Sequence, residues 1–148
     1  MPTLAKNKKA FFDYTILEKF EAGLVLTGQE VKSLRTGNIR LTGAYVTFHK
    51  DSPQLTNVHI PLYKYASPKE EYDPERSRAL LLKKKEIAYL RGKTQEKGLT
   101  IVPLSVYTKG RKIKIEIGIA QGKKQYDKRR AIQKRDQQRE DRRMMKEM

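Results

Sequence analysis

The side chains in this sequence that could do chemistry are few: two histidines, a glycine-flanked segment and some scattered carboxylates. His49 and His59 sit on opposite sides of a segment that reads as a hairpin. A metal site or a general base would need further ligands or a base partner beside them, and the spacing supplies neither. They read as partly exposed strand histidines. The stretch from Gly37 to Gly43 lacks both the Lys-Ser/Thr pair and the glycine spacing of a phosphate-cradling loop. Asp13 with Glu18, or Glu70 with Glu71, could hold Mg²⁺ in principle, but solvated surface carboxylates fit better. There is no Ser/His/Asp pattern and no cysteine, which removes disulfides and thiolate metal sites. The expectation is a protein that is not an enzyme, with no catalytic residue, no cofactor and no metal.

Cationic chemistry is what the chain has in quantity. It carries 33 Lys/Arg against 17 Asp/Glu, a net charge of +16 in 148 residues. A field of that sign favours polyanions. Lys6, Lys8 and Lys9 form one cluster. Lys83, Lys84 and Lys85 form a second, with Arg76, Arg78 and Arg91 near in sequence. Lys123 and Lys124, then Lys128, Arg129 and Arg130, then Lys134 and Arg135 form a third. A single cluster of this kind is usually a solvated face. Three on one basic domain point to phosphate contacts. Phe11, Phe12 and Tyr14 follow the first cluster and Tyr126 lies inside the third. A ring beside cations can stack on an unpaired base.

The last 27 residues, 122–148, hold 11 Lys/Arg against 5 Asp/Glu. Ile132, Met144, Met145 and Met148 are their only aliphatic or Met side chains. That is too little apolar surface to offset the entropy of ordering them alone. The stretch lacks proline, and lacks glycine after Gly122, so it is helix-competent. Asp127 with Arg130, Asp136 with Arg139 and Glu140 with Arg143 have the spacing to pair on a helix. A tail loose by itself, which folds against something long and acidic, is the expectation.

The elements that must position these groups follow from pattern. Residues 1–10 read as a short basic arm, 11–121 as one body and 122–148 as the tail. Alternation of Phe12, Tyr14 and Ile16 with Asp13 and Thr15 predicts a strand. Glu21-Ala22-Gly23 reads as a turn and Leu24-Val25-Leu26 as a buried strand. Thr27 and Glu30 have capping-box spacing, which opens a short helix closed by Gly37. Tyr45–His49 and residues 55–60 flank Asp51-Ser52-Pro53 as a hairpin. Residues 64–78 form the longest irregular stretch, a feature that is often functional. Leu80-Leu81-Leu82 fits either a helix start or a short strand. A helix is expected from 84 to 96, closed by Gly98. Residues 99–107 follow as a strand marked by Pro103 as an edge or a bulge. Ile113, Ile115, Ile117 and Ile119, alternating with Lys112, Lys114, Glu116 and Gly118, give the clearest strand. The fold class expected is mainly β with flanking helices, a small antiparallel barrel or curled sheet. Such sheets often bind oligonucleotides on an open face.

Long blocks of the chain closely resemble the SmpB family, the partners of transfer-messenger RNA (tmRNA) in bacterial ribosome rescue. They are Asn7-Lys8-Lys9-Ala10, the run from Glu21 to Arg35, Asp73-Pro74 with Leu80-Leu81-Leu82, Lys97-Gly98-Leu99-Thr100, and the run from Gly122 to Arg129. The resemblance implies an OB-like barrel that grips the tRNA-like domain of tmRNA. It implies a tail that enters the decoding centre of a stalled small ribosomal subunit and becomes helical down the empty mRNA channel. Elongation factor Tu would share the delivery complex, in the cytoplasm, with neither DNA nor a membrane as partner. By matching position, Asn7, Glu21 and Leu81 fall where the family contacts tmRNA, and Lys8, Lys9, Phe12, Lys83 and Lys84 are grouped with them as RNA-binding. Gly122, Lys123, Lys124, Tyr126, Asp127, Lys128, Arg129, Arg130, Lys134, Arg135, Met144 and Met145 are assigned to the decoding centre and channel. Many relatives carry His where this chain has Phe12, which keeps stacking but loses a hydrogen bond. The alternative is a structural ribosomal protein or a general basic RNA-binding protein. The start lacks an apolar signal region, and no run approaches the ~18 apolar residues of a membrane span.

Overall fold

The computed structural model describes residues 3–66, 72–123 and 125–147, and within the last span the side chains of 132–144. These residues form seven strands and four helices: β1 (Thr3–Lys6), α1 (Lys8–Asp13), β2 (Tyr14–Leu24), α2 (Gly28–Arg35), β3 (Tyr45–His49), β4 (Ser52–Thr56), β5 (Arg78–Leu81), α3 (Lys84–Thr94), β6 (Leu99–Lys109), β7 (Lys112–Gly122) and α4 (Gln125–Glu147). The strands make one antiparallel sheet in the order β1-β6-β7-β2-β5-β4-β3. The sheet curls until β3 packs against β6, which gives the OB-like barrel.

β7 shows how one strand serves two cores. Ile113, Ile115, Ile117 and Ile119 point into the barrel and are buried with Leu24, Leu34, Leu55, Ile60, Leu90 and Ile101. Each such burial is worth roughly 1.5–3 kcal/mol relative to exposure. The opposite row starts with Lys112, Lys114 and Glu116, then shrinks to Gly118 and Ala120. There α1 covers the sheet, and Ala10, Val102, Leu104 and Ala120 form a second small core with Tyr14 and Ile16 at its margin. A Cβ at Gly118 would come within 2.9 Å of both Ile16 and Leu104 side chains, so only glycine fits under that layer.

Pro103 marks a bulge, as its position predicted, although β6 is an internal strand between β1 and β7. The bulge falls between Pro103 and Ser105 and leaves carbonyls unpaired in the ladder. Asn7 takes them up. Its Nδ2 donates to Pro103 O at 2.9 Å and its backbone N to Leu104 O at 2.8 Å. Its Oδ1 accepts from Ala10 N at 3.2 Å, so the same side chain caps α1.

Several sequence expectations change. Phe12 lies on α1 rather than in a strand, because the Asn7 cap starts a helix that the alternation of Phe12, Tyr14 and Ile16 conceals. Thr3–Lys6, within the stretch read as a basic arm, pairs with β6. Glu21-Ala22-Gly23 is not a turn but the end of β2. There Gly23 allows close approach of Leu81, whose Cβ would lie 3.1 Å from a Cβ at that position. Val25 and Leu26 leave the strand, and Val25 is exposed. The hairpin turn is Lys50-Asp51, and Ser52 and Pro53 belong to β4. Leu80 and Leu81 are strand, not helix. The capping box of α2, the glycine after it (Gly37, φ 82°) and the extent of α3 match expectation to within two residues.

Candidate nucleic-acid interface

The first candidate cluster lies on α1. Lys8 and Lys9 are exposed on its outer surface and Phe12 is half-buried beside them. Asn7 is buried, and its amide is committed to the β6 bulge and the α1 cap. It therefore shapes this surface rather than offering a free amide. A cleft of about 380 Å³ opens between α1 and the loop before β3, lined by residues that include Lys9, Tyr14, Thr42 and Tyr45. The chain returns to α1 after β7. Gly122 pairs with Tyr14, and Lys123 donates through its backbone N to Asp13 O at 2.9 Å and through Nζ to Phe11 O at 3.1 Å. Gly122 and Lys123, the first residues of the stretch read as the tail, are thus bonded to the start of β2 and to α1.

The second cluster lies on the outward row of β2, where Lys19, Glu21 and Gly23 point to one side. Lys19 reaches back to within 5.7 Å of the Phe11 ring centroid, which connects this row to α1. The hydroxyl of Tyr107 donates to Glu21 Oε2, and Lys109 Nζ lies 3.4 Å from Oε1. The Tyr107 bond, with Lys109 and Lys114 behind it, holds the Glu21 carboxyl below the usual carboxylate range. Burial, and then the Glu21 charge, raise the Tyr107 hydroxyl in turn. Glu21 is therefore an oriented anion that can accept from a base amino group or a ribose hydroxyl.

Beyond it stands Leu81, 65% exposed, while its neighbour Leu80 is 4% exposed. A large apolar side chain facing out next to a buried one is an available contact surface. Lys83 and Lys84 follow at the start of α3 and are exposed. Phe11, Lys19, Glu21 and Leu81 are thus connected along β2 to β5, with Lys8, Lys9 and Phe12 at the α1 end and Lys83 and Lys84 next in the chain after Leu81.

Arg76 and Arg78, near the second cationic cluster in sequence, both turn to Glu30 instead, Arg78 fully buried and Arg76 partly exposed. Arg78 is buried and donates to Glu30 Oε2 through Nε at 3.0 Å and Nη2 at 2.7 Å, and to Val58 O at 2.7 Å and Pro74 O at 2.9 Å. Arg76 pairs with Glu30 Oε1, and the Tyr72 hydroxyl donates to Ile60 O. Burial raises the Glu30 carboxyl, but the Thr27 amide and the two guanidiniums outweigh it and hold the group at about 2. Spacing alone found the Thr27–Glu30 capping box; it gave no sign of the buried arginine.

α4 is a continuous helix of 23 residues, about 34 Å long at 1.5 Å per residue. From 132 to 144 every side chain is exposed, including Lys134, Arg135 and Met144. Arg135 stands over the Phe12 ring at 5.8 Å, the place where the helix meets α1. The expected pairs of Asp136 with Arg139 and Glu140 with Arg143 do not form; Gln137 donates to Asp141 at 3.1 Å instead. Lys124, and the side chains of Tyr126, Asp127, Lys128, Arg129, Arg130 and Met145, lie outside the described residues.

His59 lies 3.6 Å from Glu75, and His49 ends β3. Among the described residues no group of three or more His, Cys, Asp or Glu could hold a metal ion. Among them, too, no helix is long and apolar enough to cross a membrane.

Comparison with known proteins gives a consistent result. A family model described as SmpB protein matches residues 4–147. An SsrA-binding protein of Sulfurihydrogenibium sp. (strain YO3AOP1) is 55% identical over 137 residues, 93% of this chain and 90% of that protein. An SsrA-binding protein of Leuconostoc mesenteroides is 53% identical over 93% of this chain and 88% of its own length. A solved structure described as "tmRNA-SmpB: a journey to the center of the bacterial ribosome" is similar with a TM-score of 0.69 and 44% identity, covering 82% of this chain and 85% of that one.

Proposed function

This chain belongs to the SmpB family, and from that premise we propose that it binds the tRNA-like domain of tmRNA and delivers it to stalled ribosomes for trans-translation. The protein catalyses nothing in this scheme. Its barrel surface from α1 along β2 to Leu81, Lys83 and Lys84 holds the RNA. Lys8, Lys9, Lys83 and Lys84 supply phosphate contacts, Glu21 an oriented acceptor, and Phe12 and Leu81 apolar surface. Asn7 acts by fixing α1 and the β6 bulge.

α4 is the part that engages the small subunit. Lys124, Tyr126, Asp127, Lys128, Arg129 and Arg130 would sit at the decoding centre. Lys134, Arg135, Met144 and Met145 would continue down the empty mRNA channel, with elongation factor Tu in the delivery complex in the cytoplasm. The observation that carries this reading is the solvent exposure of α4 from residue 132 to 144 on a helix rich in cations. A helix that buries none of those residues against its own domain has its surface available for another.

Filter binding of tmRNA, with tRNA as competitor, over a series of salt concentrations tests the first half. Binding should favour tmRNA and weaken steeply with salt, because each phosphate contact releases counterions. Equal and weak affinity for both RNAs would overturn it.

A further inference from the structure

Residues 61–66, Pro-Leu-Tyr-Lys-Tyr-Ala, form an exposed aromatic and cationic cluster that the proposed tmRNA surface does not use. Tyr65 is 76% exposed and Leu62 is exposed beside it. The rings of Tyr63 and Tyr65 meet edge to face with centroids 5.6 Å apart. Each carries an ammonium group: Lys32 Nζ lies 5.9 Å from the Tyr63 centroid and Lys64 Nζ 5.5 Å from that of Tyr65.

This cluster is held in place. The buried Ser33 donates to Pro61 O at 2.7 Å, and Gln29 Oε1 accepts from Tyr63 N at 2.9 Å, so two side chains of α2 fix the backbone that carries the rings. α2 is itself anchored by Glu30 to Arg78, the first residue of β5, whereas Leu81 is the last. The cluster is therefore carried by α2, which contributes no residue to the Glu21–Leu81 course.

Exposed tyrosines cost hydration, and nothing in the core requires them here. A buried Tyr anchor explains Tyr72, whose hydroxyl is bonded to Ile60 O and Glu30; it does not explain Tyr65. Rings with ammonium groups beside them, on a protein of net charge +16, fit an unpaired nucleobase with its phosphate. The base stacks on the ring and the phosphate meets Lys32 or Lys64.

We propose that Tyr65, with Tyr63, Lys32 and Lys64, is a second RNA contact that stacks on an unpaired base in a loop or single strand. It rests on the RNA-binding reading above and adds a site of a different kind: it recognises an unstacked base, not a helix backbone.

The test measures binding of two labelled RNAs by the full-length protein, an unstructured oligo(A) and a fully paired hairpin of similar charge. Tyr65→Ala should weaken oligo(A) binding by about five-fold or more, the scale of one base stack. Tyr65→Phe should restore it, since the ring and not the hydroxyl is used. Hairpin affinity and the salt slope should stay as in the wild type, because no charge is removed. Equal loss for both RNAs, no loss for either, or absence of oligo(A) binding would each overturn the proposal. Failure here leaves tmRNA affinity intact, whereas failure of the proposed function abolishes preference for tmRNA in the wild-type protein.

Discussion

Glu30 and Arg78, 48 residues apart in sequence, meet through two hydrogen bonds at 3.0 and 2.7 Å with neither side chain exposed to solvent. Around them Thr27 N and Arg76 donate to Glu30, while the Tyr72 hydroxyl, Pro74 O and Val58 O accept from Arg78. The pair bolts α2, the capping helix, to the start of β5. A buried pair of this kind is satisfied rather than simply attractive, so loss of one partner is what costs.

Glu30→Gln should therefore destabilise the fold by roughly 3–5 kcal/mol at neutral pH, as Arg78 keeps its charge and loses its counterpart. The pH dependence has a definite sign. The carboxyl falls from its ordinary 4.5 to about 2 in the folded protein. A depressed carboxyl stabilises the fold fully above its unfolded value and loses that contribution as pH drops through the folded one. The contribution is on the order of 3 kcal/mol. Urea midpoints measured from pH 6 down to 2 should fall more steeply for the wild type than for Glu30→Gln. Parallel curves would show that the pair carries no such linkage.

Leu80 and Leu81 provide a matched pair of substitutions. Leu80→Ala removes a buried side chain and should cost about 2–5 kcal/mol of stability. Leu81→Ala removes an exposed one and should change stability by less than about 0.5 kcal/mol while lowering tmRNA affinity. Urea unfolding and filter binding on the same preparations separate the two. A stable Leu81→Ala protein with wild-type affinity would remove Leu81 from the RNA surface.

Asn7→Ala should cost about 2–4 kcal/mol, the cap plus the Pro103 carbonyl left without its side-chain donor. Asn7→Asp keeps the cap but places an oxygen against Pro103 O, so it should be no more stable than Asn7→Ala in urea. If Asn7→Ala unfolds like the wild type yet fails to bind RNA, the amide contacts RNA directly and its structural role here is secondary.

Truncation resolves where the tail starts. A chain ending at Lys123 keeps the Gly122–Tyr14 pair and the Lys123 bonds to α1. It should unfold like the full chain, bind tmRNA and fail to support tagging on stalled ribosomes. A chain ending at Ala120 loses those bonds and should be less stable by about 1–3 kcal/mol. Tagging by the Lys123 truncation would show that α4 is dispensable.

The readable parts of the sequence were those with a local period. β7 was legible because four isoleucines alternate with polar residues, and α2 because Thr27 and Glu30 cap it reciprocally. α1 was not, since six residues are too few to show a helical period and Phe12, Tyr14 and Ile16 happen to alternate. Asn7 before Lys8-Lys9-Ala10 was the available signal, an N-cap ahead of helix formers. Gly23 was misread as a turn because its purpose, room for Leu81, lies on another strand. The direction of Arg78 was set by a carboxylate in a distant helix, which no local window contains. The charge excess, by contrast, pointed to a polyanion at once.

Sharing β7 between the barrel interior and the layer under α1 also sets what kind of change the chain can absorb. A substitution acts on one side or the other: at an isoleucine it touches only the barrel interior, at Gly118 or Ala120 only the layer under α1. A length change acts on both: one residue added between Ile113 and Ile119 would turn downstream isoleucines to water, drive their small or charged neighbours inward and lift the helix off its seat together. Loops can drift in such a molecule, but the spacing along this strand is indivisible, so insertions among relatives should fall outside it.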